Sequence, residues 1–418
     1  MNTPPPLITM MSQLIASPSI SSSQASWDQS NKKVIELLEN WLSSLGFSCE
    51  VMAIPNRPNN VNLIATIGQG EGGLVLSGHT DTVPYDQDRW QSDPFRLEER
   101  DNKLYGLGSC DMKGFFAVVI DTLRDMDLTQ LKEPLIILAT ADEESSMSGA
   151  RALVSQQKIK ARYAVIGEPT LLKPIYAHKG IMMERIQIKG QSGHSSNPSL
   201  GNNAMDAMHM VMSELMTFRQ QLKKKYRDAN FVIEYPTMNF GCIHGGDSAN
   251  RICGKCELDF DLRALPGMSN QSLIEEIQAI LPKIEEITGT TIEMRSLFED
   301  IPSFLTSTDS DILKTCEALT QQTGDSVAFC TEGPFLNQLG IETLILGPGS
   351  IDQAHQPNEF MALDQIKPMQ HILRGLVHRY CLQTVYKTQP NTNSSSINKH
   401  HEQTKIDPFN NIDEEDRA

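Results

Sequence analysis

Apolar residues recur every three or four positions between Asn31 and Leu45, at Val34, Leu37, Leu38, Trp41, Leu42 and Leu45. That period predicts a helix, and Gly46 stands where a helix is ended. Gly73–Gly78, Pro134–Thr140 and Tyr163–Gly167 are instead short apolar runs bounded by breakers, and Gly114–Leu123 reads as a buried helix between the first two. Strands without a polar face, alternating with helices, predict a largely parallel sheet covered on both sides. Near residue 180 the pattern changes. Ile181–Lys189, Thr237–Ile243, Glu257–Arg263 and Thr291–Leu297 alternate apolar with polar residues, and Asn202–Tyr226 and Ser272–Ile287 carry a helical period. The order β-α-β-β-α-β predicts a split βαβ, ferredoxin-like unit with one wet sheet face. Afterwards the first pattern returns, with a helix over Asp311–Thr323 and a strand over Glu342–Gly347. The predicted architecture is therefore an α/β domain from residues 1–180 and 297–385, with an α+β domain, 181–296, inserted into it. From about 386 to 418 Asn, Ser, Gln, His and charges dominate, a composition that predicts a disordered tail.

Composition narrows the function. The 418 residues carry 36 basic and 52 acidic side chains, a net charge of −16, which disfavours nucleic acid or an anionic membrane as partner. No apolar run approaches the roughly 20 residues that span a bilayer, and the N-terminus lacks a basic segment followed by an apolar one. Eight scattered cysteines suit reduced thiols, so a cytoplasmic location is expected. Cys253 and Cys256 are read as structural, and Cys110, His178, His244 and the His400–His401 pair are given no catalytic role.

Chemistry gathers at the carboxyl ends of the predicted strands, where open α/β sheets bind ligands. Ser77-Gly-His-Thr-Asp-Thr-Val-Pro84 puts His79 and Asp81 on one side of an extended chain. Gly106-Leu-Gly-Ser-Cys-Asp-Met-Lys-Gly114 lacks the third glycine of a dinucleotide loop, and its Asp111 would repel phosphate but suit a cation. Asp142-Glu143-Glu144 follows an apolar strand, and Glu168 and His355 follow two others. Taken singly, these residues also fit a hydrogen-bonded pair, a helix cap or an exposed acidic turn. Taken together, two histidines and three carboxylates converging on one sheet edge suit two zinc-like ions sharing a carboxylate.

The strings Ser-Gly-His-Thr-Asp-Thr-Val-Pro, Asp-Met-Lys-Gly, Ala-Asp-Glu-Glu and Gly-Glu-Pro resemble, in this order, the M20 family of dizinc amidohydrolases and peptidases. The resemblance runs from about residue 7 to 384. It implies a zinc-peptidase-like fold with two divalent ions, zinc replaceable by cobalt. His79 and Glu168 would hold one ion, Glu144 and His355 the other, and Asp111 would bridge them. Asp81 would orient His79, and Glu143 would be the general base. The inserted domain would be the lid and the surface of a homodimer, through which His194 reaches the partner's site. Asn250 and Arg251 would contact the substrate carboxylate, with Gly347 and Gly349 supplying backbone groups. Further stretches, Ala177-His-Lys-Gly180, Gly245–Arg251, Cys330–Phe335 and Gly347–Pro357, imply hydrolysis of N2-acetyl-L-ornithine to L-ornithine and acetate in arginine biosynthesis. The rivals are hydrolysis of another N-acyl amino acid or of succinyl-diaminopimelate and, in another class, a non-enzymatic metal-binding protein. Neither a nucleic acid nor a membrane is expected as partner.

Overall fold

The computed structural model describes residues 3–382, so the predicted tail, 386–418, lies outside the described residues. The chain begins with α1 (Leu7–Ile15), α2 (Lys32–Ser44), β1 (Ser48–Ile54), β2 (Arg57–Ile67), β3 (Leu74–His79), β4 (Glu98–Arg100) and β5 (Lys103–Tyr105). Then come α3 (Lys113–Arg124), β6 (Leu135–Thr140), α4 (Ser148–Gln156), β7 (Tyr163–Pro169) and β8 (Ile175–His178). A second group follows: β9 (Met182–Lys189), α5 (Ala204–Lys225), β10 (Thr237–Gly245), β11 (Lys255–Arg263), α6 (Asn270–Gln278), α7 (Leu281–Thr288) and β12 (Thr291–Ser296). The last elements are β13 (Phe304–Leu305), α8 (Asp311–Thr320), β14 (Asp325–Val327), α9 (Gly333–Gln338), β15 (Glu342–Gly347), β16 (Phe360–Ala362) and α10 (Ile366–Val377).

The large sheet has the order β1-β2-β6-β3-β7-β15-β8-β13, with β14 beside β8. Its middle strands β6, β3, β7 and β15 are parallel, as expected, while β1, β2, β8 and β13 add antiparallel flanks. Strands β3, β6 and β7 are buried at every position because helices cover both faces. Alternation sorts their side chains. Leu74, Leu76, Leu135, Ile137, Tyr163 and Val165 pack with α1, α2, α3, α8 and α10. Val75, Ile136, Leu138, Ala164 and Ile166 face α4 and α9. Because the middle strands are parallel, His79, Thr140, Glu168 and Gly347 all emerge at one edge of the sheet. Asn31 braces that edge: its Nδ2 donates to the Val61 carbonyl and to Thr80 Oγ1, both at 2.8 Å.

The second sheet, β10-β11-β9-β12, is antiparallel throughout and has its own core with α5, α6 and α7 on one face. On β9 and β11 buried residues alternate with half-exposed ones, the wet face the pattern predicts. Its chain enters and leaves side by side: Ile181 and Ile301 exchange both backbone hydrogen bonds at 2.9 Å. The helix expected over Ser272–Ile287 is in fact two, α6 and α7. Pro282 explains the break, since it has no N–H and its ring crowds the carbonyl of Gln278 four residues earlier. The helix expected to reach Thr323 stops at Thr320, where Gln321 turns left-handed with φ 56°.

Candidate metal centre

His79 closes β3 and is buried. Its Nδ1 lies 3.0 Å from the carbonyl of Asp81, and its Nε2 faces Asp111 Oδ1 at 3.0 Å and Glu168 Oε1 at 3.6 Å. The ring is thus held from behind and aimed at carboxylates. The Asp81 carboxylate sits further off, 3.7 Å from Nδ1, so the main chain supplies the shorter contact expected of its side chain. Asp81 Oδ2 instead accepts the N–H of Glu144 at 3.1 Å, and Oδ1 has no hydrogen-bond partner among the described residues. Across the site His355 Nε2 is 3.0 Å from Glu144 Oε2 and 3.6 Å from Asp111 Oδ2. The two oxygens of Asp111 therefore face different histidines.

The turn after β6 decides where the three consecutive acids go. Asp142 has φ 64°, a left-handed backbone, and its buried carboxylate turns away from the cluster. There it pairs with Arg57 and accepts hydroxyls from Ser21 (2.7 Å), Ser145 (2.7 Å), Ser148 (2.6 Å) and Ser146. Glu143 and Glu144 are left to the site, one in each of two groups whose donor atoms lie within 4.8 Å of one another: His79, Glu143 and Glu168, and His79, Asp111 and Glu144.

Burial and crowding set the proton affinities. Burial pulls the His79 imidazole down, but Asp111, Glu168 and Glu143 overcome it and hold the ring well above its usual value. His355 rises to about 9, chiefly through its hydrogen bond to Glu144. Burial pushes Glu143 up, seconded by Glu168, Glu144 and Glu332, and Glu168 likewise, seconded by Asp111. Burial also raises Asp81 to about 6. Asp111 alone goes down: burial opposes ionisation, and the hydrogen bond and charge of His79 win.

Two buried acids escaped the reading of the sequence. Glu332, pushed by burial to about 7, adds to the charge near Glu143. Glu359 accepts the backbone N–H groups of Gly108, Cys110 and Asp111 at 2.7–2.9 Å, while burial raises it to about 8. Glu332 lay inside the Cys330–Phe335 stretch, and Glu359 stood alone between Asn358 and Phe360, with nothing to mark it. The buried Lys113 donates to the Ser17 carbonyl at 3.1 Å, and burial lowers it to about 8.

The donor set fits a pair of divalent cations. Imidazole nitrogens and carboxylate oxygens are the ligands zinc takes, and so much buried negative charge calls for a counter-charge.

Of the remaining nominated residues, Gly347 and Gly349 stand at the same sheet edge, against Glu168 and Cys110, and the other three lie elsewhere. His194 pairs with Arg251 as an isolated bridge, and Ser195 N–H reaches the Asn250 carbonyl at 3.2 Å, so the three sit together on the second sheet's loops. All three are exposed; Arg251 pairs with Asp247 at 2.6 Å and His194 Nδ1 accepts from Ser196. No hydrogen bond or ion pair among the described residues links them to the acidic cluster. The N–H groups of Gly347 and Gly349 are already taken, by Thr170 Oγ1 at 3.2 Å and Gln365 Oε1 at 2.6 Å. Their carbonyls accept from Thr170, Leu171 and Leu172. A small cavity of about 60 Å³ beside His355 is lined by Tyr85, Asp86, Trp90 and Leu107 among others.

Residues 75–379 match the family described as peptidase family M20/M25/M40, and the chain belongs to it. Membership makes the protein a metal-dependent amidohydrolase. Among its relatives, acetylornithine deacetylase of Pasteurella multocida is 51% identical over 377 residues, covering 90% of this chain and 98% of the relative. Acetylornithine deacetylase of Proteus mirabilis is 50% identical over 378 residues, covering 90% and 97%. The fold is shared with an M20 metallo-carboxypeptidase from Sulfolobus solfataricus, with TM-score 0.69 at 19% identity over 88% of this chain and 98% of that one. A dinuclear metal-binding M20 peptidase from Bacillus subtilis gives TM-score 0.63 at 15% identity, covering 88% and 96%.

Proposed function

We infer that the protein hydrolyses N2-acetyl-L-ornithine to L-ornithine and acetate. The half-identity to relatives bearing that enzyme's name, over nine-tenths of the chain, supports this substrate. The observation that carries the chemistry is the Asp111 carboxylate, with one oxygen on the His79 side and the other on the His355 side.

In this reading His79, Asp111, Glu144, Glu168 and His355 hold two metal ions, which supply Lewis acidity to the acyl carbonyl and to a water when bound. Glu143 is the general base. Its proton affinity, raised by burial and by neighbouring acids, lets it take the water's proton as the oxygen attacks the acetyl carbon. The same carboxyl then passes the proton to the departing α-amine, and acetate leaves. Asp81 holds the segment between His79 and Glu144 by accepting the Glu144 N–H.

The rest of the reading concerns the second sheet, residues 181–296, as a lid and dimerisation domain. Edge strand β10 leaves backbone groups free and is exposed from Gly241 onward, a surface able to pair with a second copy. His194 would then serve the partner's site, steadying the oxyanion, with Asn250 and Arg251 near the substrate carboxylate. The reading also takes the metal as zinc, replaceable by cobalt, and the setting as arginine biosynthesis in the cytoplasm.

The test compares hydrolysis of N2-acetyl-L-ornithine and N-succinyl-diaminopimelate by the zinc- or cobalt-loaded protein, with a chelated control. Preference for the acetylated substrate, abolished by chelation, is expected; equal or reversed preference would overturn the substrate. Glu143→Ala should keep its metal by elemental analysis and lose at least about a thousandfold in kcat, the scale of a lost general base. Full turnover in that variant would remove Glu143 from the role.

A further inference from the structure

The candidate ligands differ in how they are anchored. His79 and Glu168 belong to β3 and β7, and His79 is in register with Thr140 of β6. Glu144 is gripped by Asp81 and by the hydrogen bonds around Asp142. Asp111 and His355 have no strand of the large sheet beneath them: Asp111 lies between β5 and α3, His355 between β15 and β16.

Glu359 joins those two loops. It stands four residues beyond His355, is 2% exposed, and sends its carboxylate into the segment that carries Asp111. Oε2 accepts the Gly108 N–H at 2.9 Å; Oε1 accepts those of Cys110 at 2.7 Å and Asp111 at 2.9 Å. Three backbone N–H groups converging on the two oxygens of one carboxyl group hold that segment in place. Gly108 takes φ +82° to close it, and a Cβ there would run into Lys113 and Thr82. The backbones are joined as well, but further back. Gly106 N–H meets the Glu359 carbonyl at 3.1 Å, and Tyr105 pairs with Phe360. Cys110 Sγ also reaches the Ser350 carbonyl at 3.6 Å, but among the described residues the Asp111 N–H itself is held by the Glu359 side chain.

We propose that Glu359 is a positioning residue of the metal centre: by holding the N–H of Asp111 against the His355 loop, it keeps the two Asp111 oxygens facing His79 and His355. The proposal rests on the metal reading of the site and not on the identity of the acyl substrate.

The experiment titrates the metal-free, full-length protein with cobalt(II), following heat and the visible absorption of the bound ion. Glu359→Gln keeps the volume and puts an NH₂, which cannot accept, where one carboxylate oxygen stood. Its cobalt affinity should fall about 10–100-fold, as for other partners of metal ligands, with an altered absorption band. Tyr380→Phe supplies the contrast, because it loses hydrogen bonds to Asp311 and Thr315 on the far α8. It should lower the melting temperature and leave cobalt binding as in the wild type. If Glu359→Gln does not fold, Glu359→Asp, which keeps the carboxyl group and shortens the reach, takes its place with the same expectation. Wild-type affinity and spectrum in the Glu359 variant would overturn the proposal, as would equal weakening by Tyr380→Phe. No readout uses substrate, so a wrong acyl assignment and a wrong role for Glu359 give different results.

Discussion

Asp142 shows how far one side chain can be from the role its neighbours suggest. It stands with Glu143 and Glu144, yet its left-handed backbone turns the carboxylate onto Arg57 and four serine hydroxyls. Asp142→Asn replaces an acceptor oxygen with an NH₂ facing hydroxyl donors, and should cost about 1–3 kcal/mol in urea unfolding. Unchanged stability would mean that the hub does not hold the turn. His178 offers a cleaner titration. Its buried ring meets the Lys179 carbonyl at 2.8 Å through Nδ1 and accepts the Thr331 N–H at 3.2 Å on Nε2, which leaves no place for a second proton. Burial lowers it from 6.5 to about 4. The unfolded chain takes up that proton below about pH 6.5 and the native state does not, so stability falls with falling pH between those limits. The slope from this residue is about 1.4 kcal/mol per pH unit. The difference between wild-type and His178→Gln unfolding free energies should approach that slope between pH 6 and 4.5; parallel curves would exclude His178. His79, Asp111, Glu144, Glu168 and His355 could be nominated from sequence because each sits in a short string with a recognisable neighbour. Glu359 could not, since its partners are backbone groups 248–251 residues away that no side-chain pattern marks.

Elements were readable where one force dominated. Strands β3, β6 and β7 have no wet face, so their composition announces burial on both sides. The alternation in β9 and β11 announces the opposite. Helix α10 was not among the expected elements, although Met369, Ile372, Leu373, Leu376 and Val377 recur at helical spacing and line its buried face. Helix α1, nine residues after a proline-rich start, has a burial that depends on α3 rather than on its own short pattern. Contact between elements can be tested at Gly167, where a Cβ would strike the Phe115 ring of α3. Gly167→Ala should force β7 and α3 apart, costing about 1–3 kcal/mol of overpacking and lowering the melting temperature. A wild-type melting curve would show that the strand can shift without loss.

Over the whole molecule, the proposed dimer makes a prediction that single chains cannot meet. If His194 serves the partner's site, mixing inactive Glu143→Ala and His194→Ala proteins under conditions of subunit exchange should restore about a quarter of wild-type activity. Half of the randomly formed pairs are then mixed, and each mixed pair has one intact site of two. No recovery, with exchange verified, would confine catalysis to one chain. The chain order also has a consequence for synthesis. Strand β15, which covers one side of β7, is encoded beyond all four strands of the second sheet. A nascent chain that has just emerged through residue 300 can close that smaller sheet while β7 still has an open, largely apolar flank. During this interval the strand is a template for any neighbouring chain, so translation speed and chaperone supply govern the yield of native enzyme.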